Sequence, residues 1–62
     1  MKYYRDVDND LWITGKPGLL HCAEYEGQPN SYDGAGRAQA AEMVNLLFGP
    51  LREVRPTGWE NV

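Results

Sequence analysis

Asp8-Asn9 splits the opening of the chain into two short runs, KYYRDV (2–7) and LWIT (11–14), both carrying aromatic and β-branched side chains. Aspartate and asparagine tolerate the positive φ that a tight hairpin loop requires, so this spacing predicts an antiparallel hairpin. A second turn signal, Gly15-Lys16-Pro17-Gly18, leads into LLHCAEY (19–25). Three strands joined by two short turns make an antiparallel meander the economical reading. The next stretch, EGQPNSYDGAG (26–36), consists of turn formers without periodicity and predicts a crossing from sheet to helix.

The helix is expected over AGRAQAAEMVNLLFG (35–49), capped by Ser31 or Asp33 and stopped at Gly49-Pro50. With residues spaced 100° apart, Ala40, Ala41, Val44, Leu47 and Phe48 share one face, while Gln39, Glu42 and Asn45 lie on the other. Met43 and Leu46 fall on the flank away from Val44, where with Leu51 they would form a contact patch. The tail LREVRPTGWENV offers a short edge strand at 51–55, ended by Pro56. The expected architecture is α+β: a three-stranded antiparallel meander with a fourth short edge strand, packed on one α-helix, as a single domain over residues 1–62.

A helix covers only one face of such a sheet. With Asp8-Asn9 as a two-residue loop, Val7 pairs with Asp10, Asp6 with Leu11, Arg5 with Trp12 and Tyr4 with Ile13. Tyr4, Leu11 and Ile13 then point to the helix, while Tyr3, Arg5, Val7 and Trp12 point away. Tyr3, Arg5 and Trp12 would form an open aromatic face suited to an interface, unless Trp59 folds back over it.

Sixty-two residues make a small core: a chain of this length buries only about 60% of the surface its unfolded form exposes. That leaves no room for a deep substrate cleft with its supporting shell, so an enzyme is not expected, and a partner or self-association would be a natural source of further buried area. Nine acidic residues outnumber six Lys and Arg, for a net charge of −3. The cations Lys2, Arg5, Lys16, Arg37, Arg52 and Arg55 are scattered, which disfavours nucleic acid and anionic membranes as partners. No run approaches the roughly 18 apolar residues of a membrane span, and the first residues lack a signal-peptide core. Cys22 is the sole cysteine, which excludes an internal disulfide and a cysteine-based zinc site and suits a reducing cytoplasm.

Three motifs carry candidate chemistry. Asp6, Asp8 and Asp10 match the first half of a calcium loop, but Leu11 and Pro17 stand where that loop needs glycine and a bidentate glutamate. A charged hairpin tip is expected instead, with no metal and no cofactor. His21 and Cys22 are adjacent, so a strand sends them to opposite faces and they form no dyad. Gly34, Gly36 and Arg37, in DGAGR at the expected helix start, offer an anion site of weak specificity, since the pattern completes neither a P-loop nor G-x-G-x-x-G.

YYRDVDNDLW (3–12) resembles the start of small uncharacterised proteins of actinobacteria and their phages, which pair two aromatics with a D-x-D-G-D-x-W pattern. Asp6, Asp8, Asp10 and Trp12 match it, with Asn9 at the turn glycine. The resemblance implies a phage or prophage accessory protein and no particular activity. GRAQAAEMV (36–44) and Val54-Arg55-Pro56 look like the helix and following segment of MbtH-like proteins, which are small, acidic partners of nonribosomal-peptide adenylation domains. Trp12 is followed here by Ile13-Thr14 and not by proline, and Pro56-Thr57-Gly58-Trp59 stands after the helix where that family has Pro-x-Gly-Trp before it. This likeness implies architecture alone.

The expectation is a small non-enzymatic accessory protein of the cytoplasm (the host's, for a phage protein) that acts by protein–protein contact through Tyr3, Arg5, Trp12, Met43 and Leu46. A homodimer burying its open sheet face is the second reading, and anion or nucleotide binding at Gly34, Gly36 and Arg37 the third.

Overall fold

The computed structural model describes residues 1–29 and 38–62. Its elements are β1 (Tyr3–Arg5), β2 (Leu11–Thr14), β3 (Leu19–Tyr25), β4 (Gln28–Pro29), β5 (Gln39–Ala40), α1 (Ala41–Phe48) and β6 (Arg52–Val54). The fold is α+β, as expected. An antiparallel sheet runs in the order β4-β3-β2-β1-β6, with β5 paired to β3, and one short helix lies across it. The meander β1–β2–β3 is its centre, and the tail strand takes the edge beside β1.

Turn chemistry sets each connection. Lys16 O accepts the Leu19 N–H, Pro17 holds the second position and Gly18 the third with φ +80°, the arrangement of a type II turn. Glu26 and Gly27 both have positive φ between Tyr25 and Gln28, as a two-residue type I′ hairpin requires. That hairpin creates β4, inside a stretch whose turn formers predicted only a crossing.

The first hairpin corrects the expected register. Asn9 N–H donates to Asp6 O, Asp6 N–H donates to Asp10 O, and Asn9 sits at φ +67°. The loop is therefore three residues, a type I turn followed by a left-handed residue. One extra loop residue slides the strands by one: Tyr3 pairs with Ile13, Tyr4 with Trp12 and Arg5 with Leu11. Because side chains alternate, the slip sends Trp12 to the helix face beside Tyr4, and Leu11 and Ile13 to the open face with Tyr3 and Arg5.

The helix is shorter than expected. Gln39 and Ala40 pair with Leu20 and Leu19 as a strand, and α1 starts only at Ala41. Ala40 is its N-cap and makes no side-chain cap hydrogen bond; the expected caps Ser31 and Asp33 lie outside the described residues. The end is as expected, at Gly49, whose N–H donates to Asn45 O. A Cβ on Gly49 would overlap the Asn45 backbone carbonyl, so the close approach demands glycine.

The core lies between helix and sheet. Trp12, Leu20 and Val44 form its centre, with Tyr4, Cys22, Ala41, Phe48 and Leu51 packed around them. Trp12 and Phe48 stack at 6.2 Å with ring planes 24° apart. None of the described helices is long and apolar enough to cross a membrane.

Candidate functional site

Asp6 is the most enclosed charged residue among the described residues, 1% exposed. Its Oδ1 accepts the N–H of Asp8 at 2.9 Å and of Asp10 at 3.0 Å, and its Oδ2 accepts the Trp12 indole N–H at 2.9 Å. Burying a carboxylate costs several kcal/mol unless hydrogen bonds compensate, on the order of 1.5–3 kcal/mol for each bond to a charged group. Three donors converge here because the three-residue loop curls its own amides around the side chain. The same register brings the Trp12 indole under it. Asp10 continues the pattern, its Oδ1 accepting the Glu26 N–H of the next hairpin at 2.9 Å. The two aspartates thus tie together the hairpin tip, the core tryptophan and the β3–β4 turn.

Asp6, Asp8 and Asp10 each offer an oxygen within 4.8 Å of the others. Both oxygens of Asp6 and one of Asp10 already accept N–H donors. Calcium also needs six to eight oxygens. The arrangement suits a structural clamp.

On the open face, the tail returns over the sheet. Trp59 N–H donates to Arg55 O, Arg55 N–H to Glu60 O and Val62 N–H to Glu53 O, so residues 60–62 line the outer edge of β6. The Trp59 ring meets Tyr3 edge-on at 5.7 Å, and the Arg5 guanidinium sits 5.3 Å from its centroid. Arg5 also reaches Glu24 at 3.3 Å. Of the residues expected to form an open aromatic interface, Tyr3 and Arg5 keep that face but are half-buried under Trp59. Trp12 is corrected to the core at 4% exposure, because the register slip turns it over.

Met43 and Leu46 are exposed on the outer flank of α1, at 51% and 78%. Leu47, expected in the core, joins them at 62%. Met43, Leu46 and Leu47 stand at i, i+3 and i+4, a second apolar stripe beside the inner one of Ala41, Val44 and Phe48. The signal for this was present in the sequence. Placing Ala40 in the helix turned the inferred inner face by about a tenth of a turn and drew Leu47 into it.

Two cavities flank the helix. One, of about 600 Å³, lies on the side of Glu42 and Asn45 and is lined by Tyr4, Leu20 and Lys16 among others. The other, of about 380 Å³, is walled by Asp8, Asp10, Trp12, Tyr25 and Phe48. Among its described lining residues, Phe48 is the one that α1 contributes.

His21 pairs with Ile13 and Cys22 with Trp12, so they occupy opposite faces, as alternation requires. The expected anion site at Gly34, Gly36 and Arg37 lies outside the described residues. Comparison with protein-family models, curated proteins and solved structures gives no match, so the molecule's own geometry carries the functional reading.

Proposed function

We propose that this is a small non-enzymatic accessory protein that works by protein–protein contact, and that its contact surface is the outer stripe of α1. The observation that carries the reading is the exposure of Met43, Leu46 and Leu47 as one apolar strip on a two-turn helix. Scattered exposed apolar residues are ordinary, but a contiguous strip on a regular element fits a partner's groove or face. The open sheet face is the weaker candidate, since Trp59 already covers Tyr3 and Arg5 there. That cover also ranks contact with a different protein above self-association through the sheet. An origin in an actinobacterium or its phage, implied by the N-terminal motif, would put the partner in the host cytoplasm and belongs to the same proposal.

The test is capture from an actinobacterial lysate with tagged wild type and with a Leu46→Ser/Leu47→Ser variant, alongside the solution mass of each. A protein enriched by the wild type and lost by the folded variant supports contact through the stripe. Equal enrichment by both would move the surface elsewhere. Concentration-dependent doubling of mass, abolished by the variant, would make the partner a second copy.

A further inference from the structure

Arg5, Arg52 and Arg55 are scattered in the sequence, and the fold gathers them into one row. Arg5 on β1 and Arg52 on β6 are direct cross-strand partners, so both side chains leave the open face of the sheet. Asn9 joins them: its backbone O accepts from Arg5 Nη1 at 3.0 Å and its side-chain Oδ1 from Arg52 Nη2 at 3.2 Å. Asn61 joins the next pair, its Oδ1 accepting from Arg52 Nη1 at 3.4 Å and its backbone O from Arg55 Nη1 at 3.3 Å. Like charges set opposite one another across a sheet are destabilising, and the oxygens that link these arginines belong to neutral amides.

Carboxylates stand only at the ends of the row, Glu24 at 3.3 Å from Arg5 and Glu60 at 3.5 Å from Arg55. Arg52, in the middle, forms no ion pair among the described residues. Charge-assisted bonds to a carboxylate or phosphate run to about 2.7–2.9 Å, so both end contacts are loose. A guanidinium also carries more N–H donors than these contacts use. Nε and Nη2 of Arg5 and Nε of Arg52 make no hydrogen bond among the described residues. The Trp59 ring lies 5.3 Å from the Arg5 guanidinium, and the Arg5 side chain is only 14% exposed. Salt therefore screens its charge less than that of a fully exposed arginine.

We propose that this row binds one phosphate group, held between Arg5 and Arg52 with Arg55 beside them. A phosphate group carries roughly −1.5 to −2 charges near neutral pH. Its several oxygens can accept from two guanidinia together, where a carboxylate fills one fork. Glu24 and Glu60 at the ends restrict the row to a compact anion and turn away a polyanion such as nucleic acid. The ligand is free phosphate or a small phosphate ester, whose group meets the arginines in the same way. The row lies on the sheet face opposite α1 and does not depend on the contact stripe.

The experiment titrates the full, isotope-labelled chain with sodium phosphate and with phenyl phosphate at constant ionic strength. Arginine Nε–H and backbone amide signals are followed by NMR. Saturable shifts at Arg5, Arg52 and Arg55 are expected, with a Kd of about 1 mM or below. Tighter binding of phenyl phosphate would assign an organic ester whose ring lies on Trp59, and equal or weaker binding would assign free phosphate. Arg52→Gln is expected to weaken binding at least about tenfold. Asn61→Asp, which sets a carboxylate against Arg52 and Arg55, is expected to do the same. Lys16→Gln, which removes the same charge at the β2–β3 turn, is expected to change affinity less than about twofold. No saturable shift with either probe, a loss as large for Lys16→Gln as for Arg52→Gln, or shifts centred on Gly34, Gly36 and Arg37 would overturn the proposal.

Discussion

At the scale of single residues, Asp6 separates the structural account from a chemical one. Asp6→Ala would strip an acceptor from three N–H groups, each costing about 1–3 kcal/mol when left unsatisfied. A domain of this size holds only about 3–5 kcal/mol in its core. Urea denaturation should therefore find Asp6→Ala largely unfolded. Asp6→Asn, which keeps one acceptor oxygen, should be weakened by about 1–3 kcal/mol. Asp8→Asn should stay within about 0.5 kcal/mol of wild type, as an exposed side chain without partners does. If instead the triplet were a calcium site, Asp8→Asn would matter and millimolar calcium would raise the melting temperature. The clamp predicts no such rise, measured by thermal denaturation with calcium and with chelator.

At the scale of elements, what the sequence disclosed depended on how far each signal reached. Turn residues, strand composition and the Gly49-Pro50 stop act locally, so the meander, the tail strand and the end of α1 were legible. Register was not, because it turned on whether Asn9 closes a two- or a three-residue loop. That single choice decided the side of the sheet on which Trp12 stands. The start of α1 was obscured for a different reason. Gln39 and Ala40 are acceptable helix residues, but pairing with Leu19 and Leu20 satisfies their backbone in the sheet, a tertiary preference that propensity does not carry. The aspartates were visible as a tip, while their role as acceptors for Trp12 and Glu26 appears only once the chain is folded. The tail yields its own prediction. Trp59→Ala removes an aromatic pair and a cation–ring contact at a partly exposed site, so it should cost about 1–2 kcal/mol in urea denaturation. A change near zero would mean that the tail only rests on Tyr3 and Arg5.

At the scale of the whole molecule, stability and contact are divided between the two stripes of one helix. The inner stripe closes the core over Trp12 and Leu20, and the outer stripe is left to a partner. With the open sheet face capped by Trp59 and the β6 edge lined by the tail, the purified chain is expected to sediment as a monomer of 7.0 kDa at micromolar concentration. A stable dimer buries about 800 Å² from each copy, more than the exposed side of a two-turn helix supplies. The most direct test of the account is Leu46→Ser/Leu47→Ser, compared with wild type for unfolding free energy and for lysate capture in one preparation. Stability within about 0.5 kcal/mol of wild type, with the captured protein lost, is the predicted result. Unfolding of the variant would show that the outer stripe belongs to the core, and capture undiminished by a folded variant would show that the working surface is elsewhere.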